Sequence, residues 1–382
     1  MHRIAVAVAV LVTAVACTEQ SDTGGDGARF EPPGWGRPEA ASIPADVTSL
    51  SQNAADWDGG VLLSGNELAP KLITSKDLVT WRHTLPDDLV EYTYHPIAGH
   101  GPAAYVLGSN AEGTFVWRTE NGDTWERVPL PGAYRAPYLS IAAGPKGVVV
   151  AGYDEATATY ASTGAVYTGY RIWFSADGRE FEQAAEVPAA TVYESDGVEV
   201  TATGEGFLLT SDARGGGVHE STDGRQWTLA TGLPDTLFDA VGMAGGTTVA
   251  LTTWLEDDSE EEPGLSAYFH RAGAEQWSEG TIDLGTLPDV GVEPRAAQYV
   301  WGVTEWGGGF IAYGGTNGGA GVGAVWTSPD GATWTRMSIR DSGFDRTRLL
   351  FAAVQAGDGT ALLGMDTSIN GPALTVWRTA AD

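Results

Sequence analysis

Short apolar runs alternate with glycine and turn-forming residues along almost the whole chain, and this alternation recurs seven times. Each repeat begins with a glycine and an apolar run, as in Gly147–Val150 and Gly206–Leu209. A second apolar or aromatic run follows and leads into the pattern Ser/Thr-x-Asp-Gly-x-x-Trp. Apolar runs of this length between turn residues predict β-strands. Their recurrence every 44 to 57 residues predicts a repeat architecture.

The turn pattern is complete in some repeats and altered in others. Asn121 replaces Asp in the second copy, Phe181 replaces Trp in the third, the fifth keeps only Trp277, and the seventh stops after Thr379. Ser and Asp two residues apart can bond the backbone of one tight turn, while Trp begins the next strand and buries a large ring. We therefore assign these residues a structural role: Ser75, Asp77 and Trp81; Thr119, Asn121 and Trp125; Ser175 and Asp177; Ser221, Asp223 and Trp227; Ser328, Asp330 and Trp334.

This turn pattern resembles the Asp-box of the bacterial neuraminidase repeats, which are found in sialidases and sortilin-like receptors. The resemblance implies an all-β fold, a seven-bladed β-propeller with Asp-box hairpins between strands 3 and 4 of the blades. It covers nearly the whole chain, so we expect residues 43–382 to form a single domain. Because proteins of unrelated activity share the box, the resemblance predicts the fold and leaves the function open.

The seventh repeat lacks the sequence for its last strand, which would leave an unpaired sheet edge. We expect the N-terminal segment around Trp35 to supply that strand, because Trp35 is followed by Gly36-Arg37 much as other box tryptophans are followed by polar residues. The alternative is a Pro- and Gly-rich tether without regular structure.

The N-terminus predicts an extracytoplasmic location. Residues 1–16 combine a short basic start with an apolar run that is too short to span a membrane, as in a signal peptide. Small residues precede Cys17, which resembles the lipid attachment site of bacterial lipoproteins. We expect Cys17 to carry a lipid anchor, with residues 17–42 as the tether, and a secreted protein is the alternative.

The charge and cysteine content exclude several classes of partner. The formal net charge is −29 and the sequence pI is about 4.3, which argues against nucleic acid as a partner. Cys17 is the only cysteine, so no disulfide or thiol nucleophile is expected in the domain. The acidic run from Glu256 to Glu262 matches no EF-hand loop and is expected to be a solvated loop rather than a calcium site. We predict no cofactor and no metal.

Enzyme motifs are missing from the sequence. It contains no His-Glu-x-x-His and no Gly-x-Ser-x-Gly. Sialidases carry an Arg in Phe/Tyr-Arg-Ile-Pro ahead of the first box, and the nearest string here, Tyr170–Trp173, lies directly before the third box instead. No catalytic residue of that family can therefore be assigned, and we predict none.

The connections between blades are expected to carry the binding surface, because they lie on the face opposite the Asp-box turns. Tyr, Trp and Arg are the usual anchors of binding surfaces, and several Arg side chains could converge on an anionic ligand. The candidate ligand-binding residues are Tyr92, Tyr94, Tyr134, Arg135, Tyr193, Glu194, Arg295, Tyr299, Trp301, Arg346 and Arg348.

The sequence thus favours an envelope-anchored propeller that acts as a binding or scaffold module for a glycan or an envelope protein. One alternative is a sialidase-like glycoside hydrolase with a diverged site. Another is an assembly factor for an envelope complex.

Overall fold

Strands account for all the regular secondary structure in the described part of the chain, apart from one 3₁₀ position at Phe344. No helix there is long and apolar enough to cross a membrane. The computed structural model describes residues 30–47, 50–65, 71–86, 89, 96–110, 112–133, 139–153, 159–161, 164–193, 197–211, 217–234, 236–254, 264–285, 298–316, 322–337, 344, 349–356, 359–368 and 371–379.

A two-residue strand, β1 (Glu39–Ala40), precedes five separate antiparallel sheets that follow one another along the chain. Sheet 1 contains β2 (Leu50–Trp57), β3 (Gly60–Gly65), β4 (Leu72–Ser75) and β5 (Arg82–His83). Sheet 2 contains β6 (Ile97–His100), β7 (Ala103–Asn110), β8 (Gly113–Thr119) and β9 (Glu126–Pro129). Sheet 3 contains β10 (Ser140–Gly144), β11 (Gly147–Tyr153), β12 (Thr159–Ala161), β13 (Gly164–Ser175) and β14 (Glu182–Tyr193).

Sheets 4 and 5 keep the same four-strand order. Sheet 4 contains β15 (Val198–Ala202), β16 (Phe207–Ser211), β17 (His219–Ser221) and β18 (Thr228–Leu229). Sheet 5 contains β19 (Ala240–Ala244), β20 (Thr247–Trp254), β21 (Gly264–Arg271) and β22 (Ser278–Glu279).

The remaining eight strands form one nine-stranded sheet together with β1, which lies at its edge beside β30. Its first half contains β24 (Gln298–Trp306), β25 (Gly309–Thr316), β26 (Gly323–Ser328) and β27 (Thr333–Arg336), with β23 (Thr281–Ile282) parallel to β27. Its second half contains β28 (Leu349–Ala356), β29 (Gly359–Ser368) and β30 (Gly371–Arg378). Among the described residues, one pair, Gly315 with Leu349, joins the two halves.

The sheets stack face to face, so their central strands are buried on both sides. In β11, Val149 packs with Phe207 of sheet 4, while Val150 packs with Leu107 of sheet 2. This two-sided burial explains why β11 is apolar throughout, without the alternation of a strand that has one face in water. The core is therefore a series of layers between neighbouring sheets.

The strands that begin each series contact one another around a closed circle, with β16, the second strand of sheet 4, making the contact between sheets 4 and 5. Strand β6 contacts β2 and β10, β10 contacts β15, β16 contacts β19, β19 contacts β24, β24 contacts β28, and β28 contacts β2 again. We call β2, β6, β10, β15, β19, β24 and β28 the first strands. Their contacts require a ring of sheets around a central axis.

The N-terminal segment lies across the junction where the ring closes. Gly36 N–H donates to the carbonyl of Arg378 (2.8 Å), and β1 then pairs with β30, with Glu39 opposite Val376. Further along, Ser42 N–H donates to the carbonyl of Val79 in sheet 1 (2.6 Å). The segment thereby covers the edge of β30 and bonds to the sheet on the other side of the junction.

The Ser/Thr-x-Asp/Asn turns share one pattern of hydrogen bonds. In the copy at Ser221, Asp223 Oδ1 accepts from the backbone N–H groups of Arg225 and Gln226, both at 2.8 Å, and Gly224 N–H donates to Ser221 Oγ (2.8 Å). Gly224 has a φ of +72°, and a Cβ at that position would come within 2.5 Å of the Phe174 ring in sheet 3. Glycine is therefore required both by the turn and by the neighbouring sheet.

The first copy forms the same turn without glycine. Leu78 has a φ of +62°, the one positive φ of a non-glycine residue among those the structure describes. Its side chain is buried in the core between sheet 1 and the second half of the nine-stranded sheet, and Trp81 Nε1 donates to its carbonyl (2.8 Å). Burial of the leucine side chain offsets the cost of the left-handed backbone.

Candidate functional site

A cavity of about 870 Å³ opens at the ring axis, where the first strands begin. We call it the upper cavity. Its wall combines apolar side chains with polar ones. The residues used below are Asn53, Ser140, Glu199, Leu237, Asp239, Trp301, Gly302 and Tyr313.

Glu199 is the one charged residue at its position in the first strands. The pairing of each first strand with the second strand of its sheet sets the alignment, because Ala202 lies opposite Phe207 as Glu305 lies opposite Phe310. Three residues before Ala202, β15 carries the exposed Glu199. The equivalent residues are Asn53, Pro96, Ser140, Ala240, Gly302 and Ala352. A carboxylate therefore stands among uncharged residues at this level of the axis.

Tyr313 reaches the axis from the second strand of its series because Gly302 has no side chain. A Cβ at Gly302 would lie 2.2 Å from the Tyr313 hydroxyl oxygen and 2.4 Å from Cζ. The phenol thus fills the space that a side chain on β24 would take, and its residue lines the upper cavity. Any larger residue at position 302 would displace it.

The protein holds the Tyr313 hydroxyl in its protonated form. Burial raises the pKa of Tyr313 to about 12, and the negative charge of Glu199 acts in the same direction. A hydrogen bond from the Ala353 backbone N–H opposes both effects without reversing them. At neutral pH the group is a hydrogen-bond donor and acceptor and carries no charge.

Trp301 stands at a β-bulge on the rim of the same cavity. In the β24–β25 pair, Val300 lies opposite Gly314 and Gly302 opposite Tyr313, so Trp301 has no partner across the ladder. Bulges commonly redirect a side chain next to a functional site. The Trp301 side chain remains 40% exposed, and it packs edge-on against Tyr299 with ring centroids 5.4 Å apart.

Two further polar groups of the cavity are held by backbone N–H groups, one of a neighbouring first strand and one of the second strand of sheet 5. Ser140 Oγ accepts from the backbone N–H of Val200 (3.1 Å) and so joins β10 to β15. The Asp239 carboxylate accepts from the backbone N–H of Thr253. Both groups are held before any ligand arrives, which lowers the entropy cost of binding.

The opposite end of the axis forms a second opening, the lower cavity, of about 560 Å³. Asp56, His100, Glu305 and Gln355 line it, among the turns that end the first strands. Among the described residues, no group of three or more His, Cys, Asp or Glu side chains is arranged to hold a metal ion.

The ligand-binding residues expected from the sequence fall into three groups. Trp301 lines the upper cavity, and Tyr299 packs behind it. The backbone of Tyr193 ends β14, and its side chain lies outside what the structure describes. The others, and the lipid site Cys17, lie outside the described residues: Tyr92, Tyr94, Tyr134, Arg135, Glu194, Arg295, Arg346 and Arg348.

Sequence reasoning missed Glu199, Asp239 and Tyr313. Glu199 could have been found as the one charged residue at its position in the repeats, where the others have small or uncharged residues. Tyr313 carried no such indication, because its place at the axis depends on Gly302 and on the bulge at Trp301.

Similar solved structures identify this arrangement of sheets. The structure of U3-55K is 9% identical, with 90% of this chain and 98% of that chain covered and a TM-score of 0.52. The β-propeller domain of the trilobed protease from Pyrococcus furiosus is 11% identical, with 88% and 94% covered and a TM-score of 0.50. The chain folds as a β-propeller.

A third similar structure is that of a longer chain. The acylaminoacyl peptidase of Pyrococcus horikoshii is 11% identical with a TM-score of 0.51, and the match covers 88% of the propeller chain and 52% of the peptidase. No protein-family model and no curated protein matches the sequence. At these identities the similarity establishes the fold alone.

Proposed function

We propose that the protein is a seven-bladed propeller of the Asp-box type. The two halves of the nine-stranded sheet count as two blades, because in the described part of the chain one residue pair joins them and each half has its own first strand. β1 then serves as the outer strand of the last blade. The recurring Ser/Thr-x-Asp/Asn hydrogen bonds support the assignment of these turns as Asp-boxes.

We further propose that this propeller is a binding module of the cell envelope, anchored through Cys17 and specific for a glycan or a protein. The observation that carries the binding role is the upper cavity, with a 40% exposed indole at its rim and fixed polar groups on its wall. An exposed Trp beside a preformed cavity is the usual arrangement of a binding hot spot.

The experiment compares Trp301→Ala with Leu229→Ala on a glycan array and in pull-downs of envelope proteins. Leu229 is also an exposed apolar residue, at 50%, but it lies on the outer strand β18. We expect Trp301→Ala to weaken binding by about tenfold and Leu229→Ala to leave it unchanged. Equal binding by both variants and the parent would refute the role of the upper cavity. Capture of a defined envelope complex, with no glycan bound, would favour the assembly factor.

A hydrolase is the second candidate, because Glu199 and Asp239 line the same cavity on adjacent sheets. Glycosidases usually use two carboxyl groups on either side of the scissile bond. The high pKa of Tyr313 argues against a phenolate nucleophile at neutral pH. We expect no release of sialic acid from a fluorogenic sialoside. Turnover that is lost in Glu199→Gln or Asp239→Asn would establish the hydrolase instead.

A further inference from the structure

Three chemically different groups line the upper cavity. Trp301 presents an exposed ring, Tyr313 presents a neutral hydroxyl beside Gly302, and Glu199 presents a carboxylate near enough to act on the Tyr313 phenol. An aromatic face takes an apolar surface, a hydroxyl donates and accepts, and a carboxylate only accepts. Together they match a ligand that has C–H faces and several uncharged hydroxyl groups.

We infer that Trp301, Tyr313 and Glu199 form a subsite for a neutral saccharide. This inference rests on the proposed function, because it assumes that the upper cavity binds a ligand. A sugar ring would stack on Trp301 and direct one hydroxyl to Glu199 as a donor and another to Tyr313. The subsite names the ligand class that the binding role leaves open.

The roles of the two polar groups follow from their surroundings. The Ala353 N–H supplies a donor to the Tyr313 oxygen, and the phenolic proton takes no part in that bond, so Tyr313 serves the ligand as a donor. A carboxylate has about four acceptor positions, so Glu199 accepts from a sugar hydroxyl in addition to the interactions it already makes. The pair thereby supplies one donor and one acceptor to neighbouring hydroxyl groups.

Isothermal titration of the full chain with maltotriose, cellotriose and chitotriose tests the subsite, with sialyllactose as the anionic comparison. We expect at least one neutral sugar to bind. Tyr313→Phe should weaken it about three- to tenfold, and Glu199→Gln about tenfold, as the loss of one neutral and one charged hydrogen bond requires. Tyr105→Phe is the matched control, because Tyr105 places its hydroxyl near the Asp177 carbonyl (3.5 Å) in the Asp-box turns, and it should bind as the parent does.

Gly302→Ala tests the same subsite from the opposite strand, because its Cβ would displace the Tyr313 hydroxyl. It should lose sugar binding, and its melting temperature shows whether the fold persists. Tyr313→Phe keeps the test valid if Gly302→Ala does not fold.

Two results would overturn the inference: no neutral sugar binds, or Tyr313→Phe and Glu199→Gln bind as tightly as the parent. If sialyllactose or an envelope protein binds in a Trp301-dependent way while neutral sugars do not, the binding module stands and the saccharide subsite falls. If no ligand depends on Trp301, both fall.

Discussion

The carboxylate of Asp56 accepts a hydrogen bond from the backbone N–H of Gln355 and so joins the first strand of sheet 1 to β28 at the point where the ring closes. Burial raises the pKa of Asp56 to about 6, against 3.8 for a free carboxyl. Between these two pKa values, the folded protein keeps the proton on Asp56, whereas the unfolded chain has lost it. Stability falls as the pH rises from about 4 to about 6, and above that range the whole penalty is present.

Asp56→Asn should consequently stabilise the protein at neutral pH. The amide oxygen can still accept from Gln355, and the buried charge is gone. We expect the free energy of unfolding to rise by about 1–3 kcal/mol near pH 7 and to change little near pH 4. Urea titrations at both pH values measure it. Asp58→Asn, at an exposed residue two positions away, is the control, and an equal gain there would contradict the explanation.

His219 should make the protein sensitive to mild acid. It is 3% exposed, and burial lowers its pKa, while a hydrogen bond to the Pro188 carbonyl partly opposes this. Because the unfolded histidine protonates below about pH 6.5 and the folded one resists, stability is full above that pH and declines below it. His219→Phe, which places in β17 an aromatic residue of the kind found at equivalent positions, should flatten the melting temperature between pH 7 and pH 5. The control is His100→Asn, at an exposed histidine, which should not flatten the melting temperature over this pH range.

Gly224→Ala should be far more damaging than Gly101→Ala. Both residues have positive φ, +72° and +52°, but an added Cβ meets the Phe174 ring at Gly224 and nothing within 4 Å at Gly101. We expect losses of about 3 kcal/mol and about 1 kcal/mol respectively. If chemical denaturation gave comparable losses for the two variants, packing between sheets would not be the reason that glycine is required at position 224.

The N-terminal segment from Phe30 onward should contribute to stability. Trp35 packs edge-on against Phe344 and donates to Met337 Sδ (3.4 Å), and β1 follows it. We expect deletion of residues 18–42 to lower the melting temperature by several degrees, whereas deletion of residues 18–29, which keeps all of these contacts, should lower it less. An unchanged value for the longer deletion would mean that the pairing with β30 adds nothing.

Cys17→Ala tests the proposed anchor. The variant should appear in the medium or remain unprocessed, because acylation is what would retain the domain at the membrane. Fractionation of cells that express either protein gives the answer. Co-sedimentation of the variant with membranes, at the level of the parent, would exclude lipid attachment at this residue.

Strand positions could be predicted from the sequence because they depend on local chemistry. The apolar run Gly147–Val150, expected to form a strand, lies within β11, and the run Gly206–Leu209 overlaps β16. Each is bounded by glycine or turn residues that act over a few positions.

Most residues of the upper cavity could not be predicted from the sequence, because their positions depend on pairings between distant residues. Tyr313 reaches the cavity through a missing side chain on another strand, and Trp301 through a bulge. The pattern of apolar residues along a sequence shows neither a register shift between two strands nor the size of the residue on the neighbouring strand. In the sequence, Trp301 is a candidate for ligand binding because of its residue type and its place after a blade connection. This argument is weaker than the geometry.

The pairing of β1 with β30 constrains the order in which the protein can fold. Its two strands come from opposite ends of the chain, so β1 has no partner strand until β30 is present. Closure of such a distant contact is slow, because the entropy of the intervening chain is lost before the contact stabilises anything. A chain that stops before Leu374 would have no site for β1, and its open edge would be exposed to other chains.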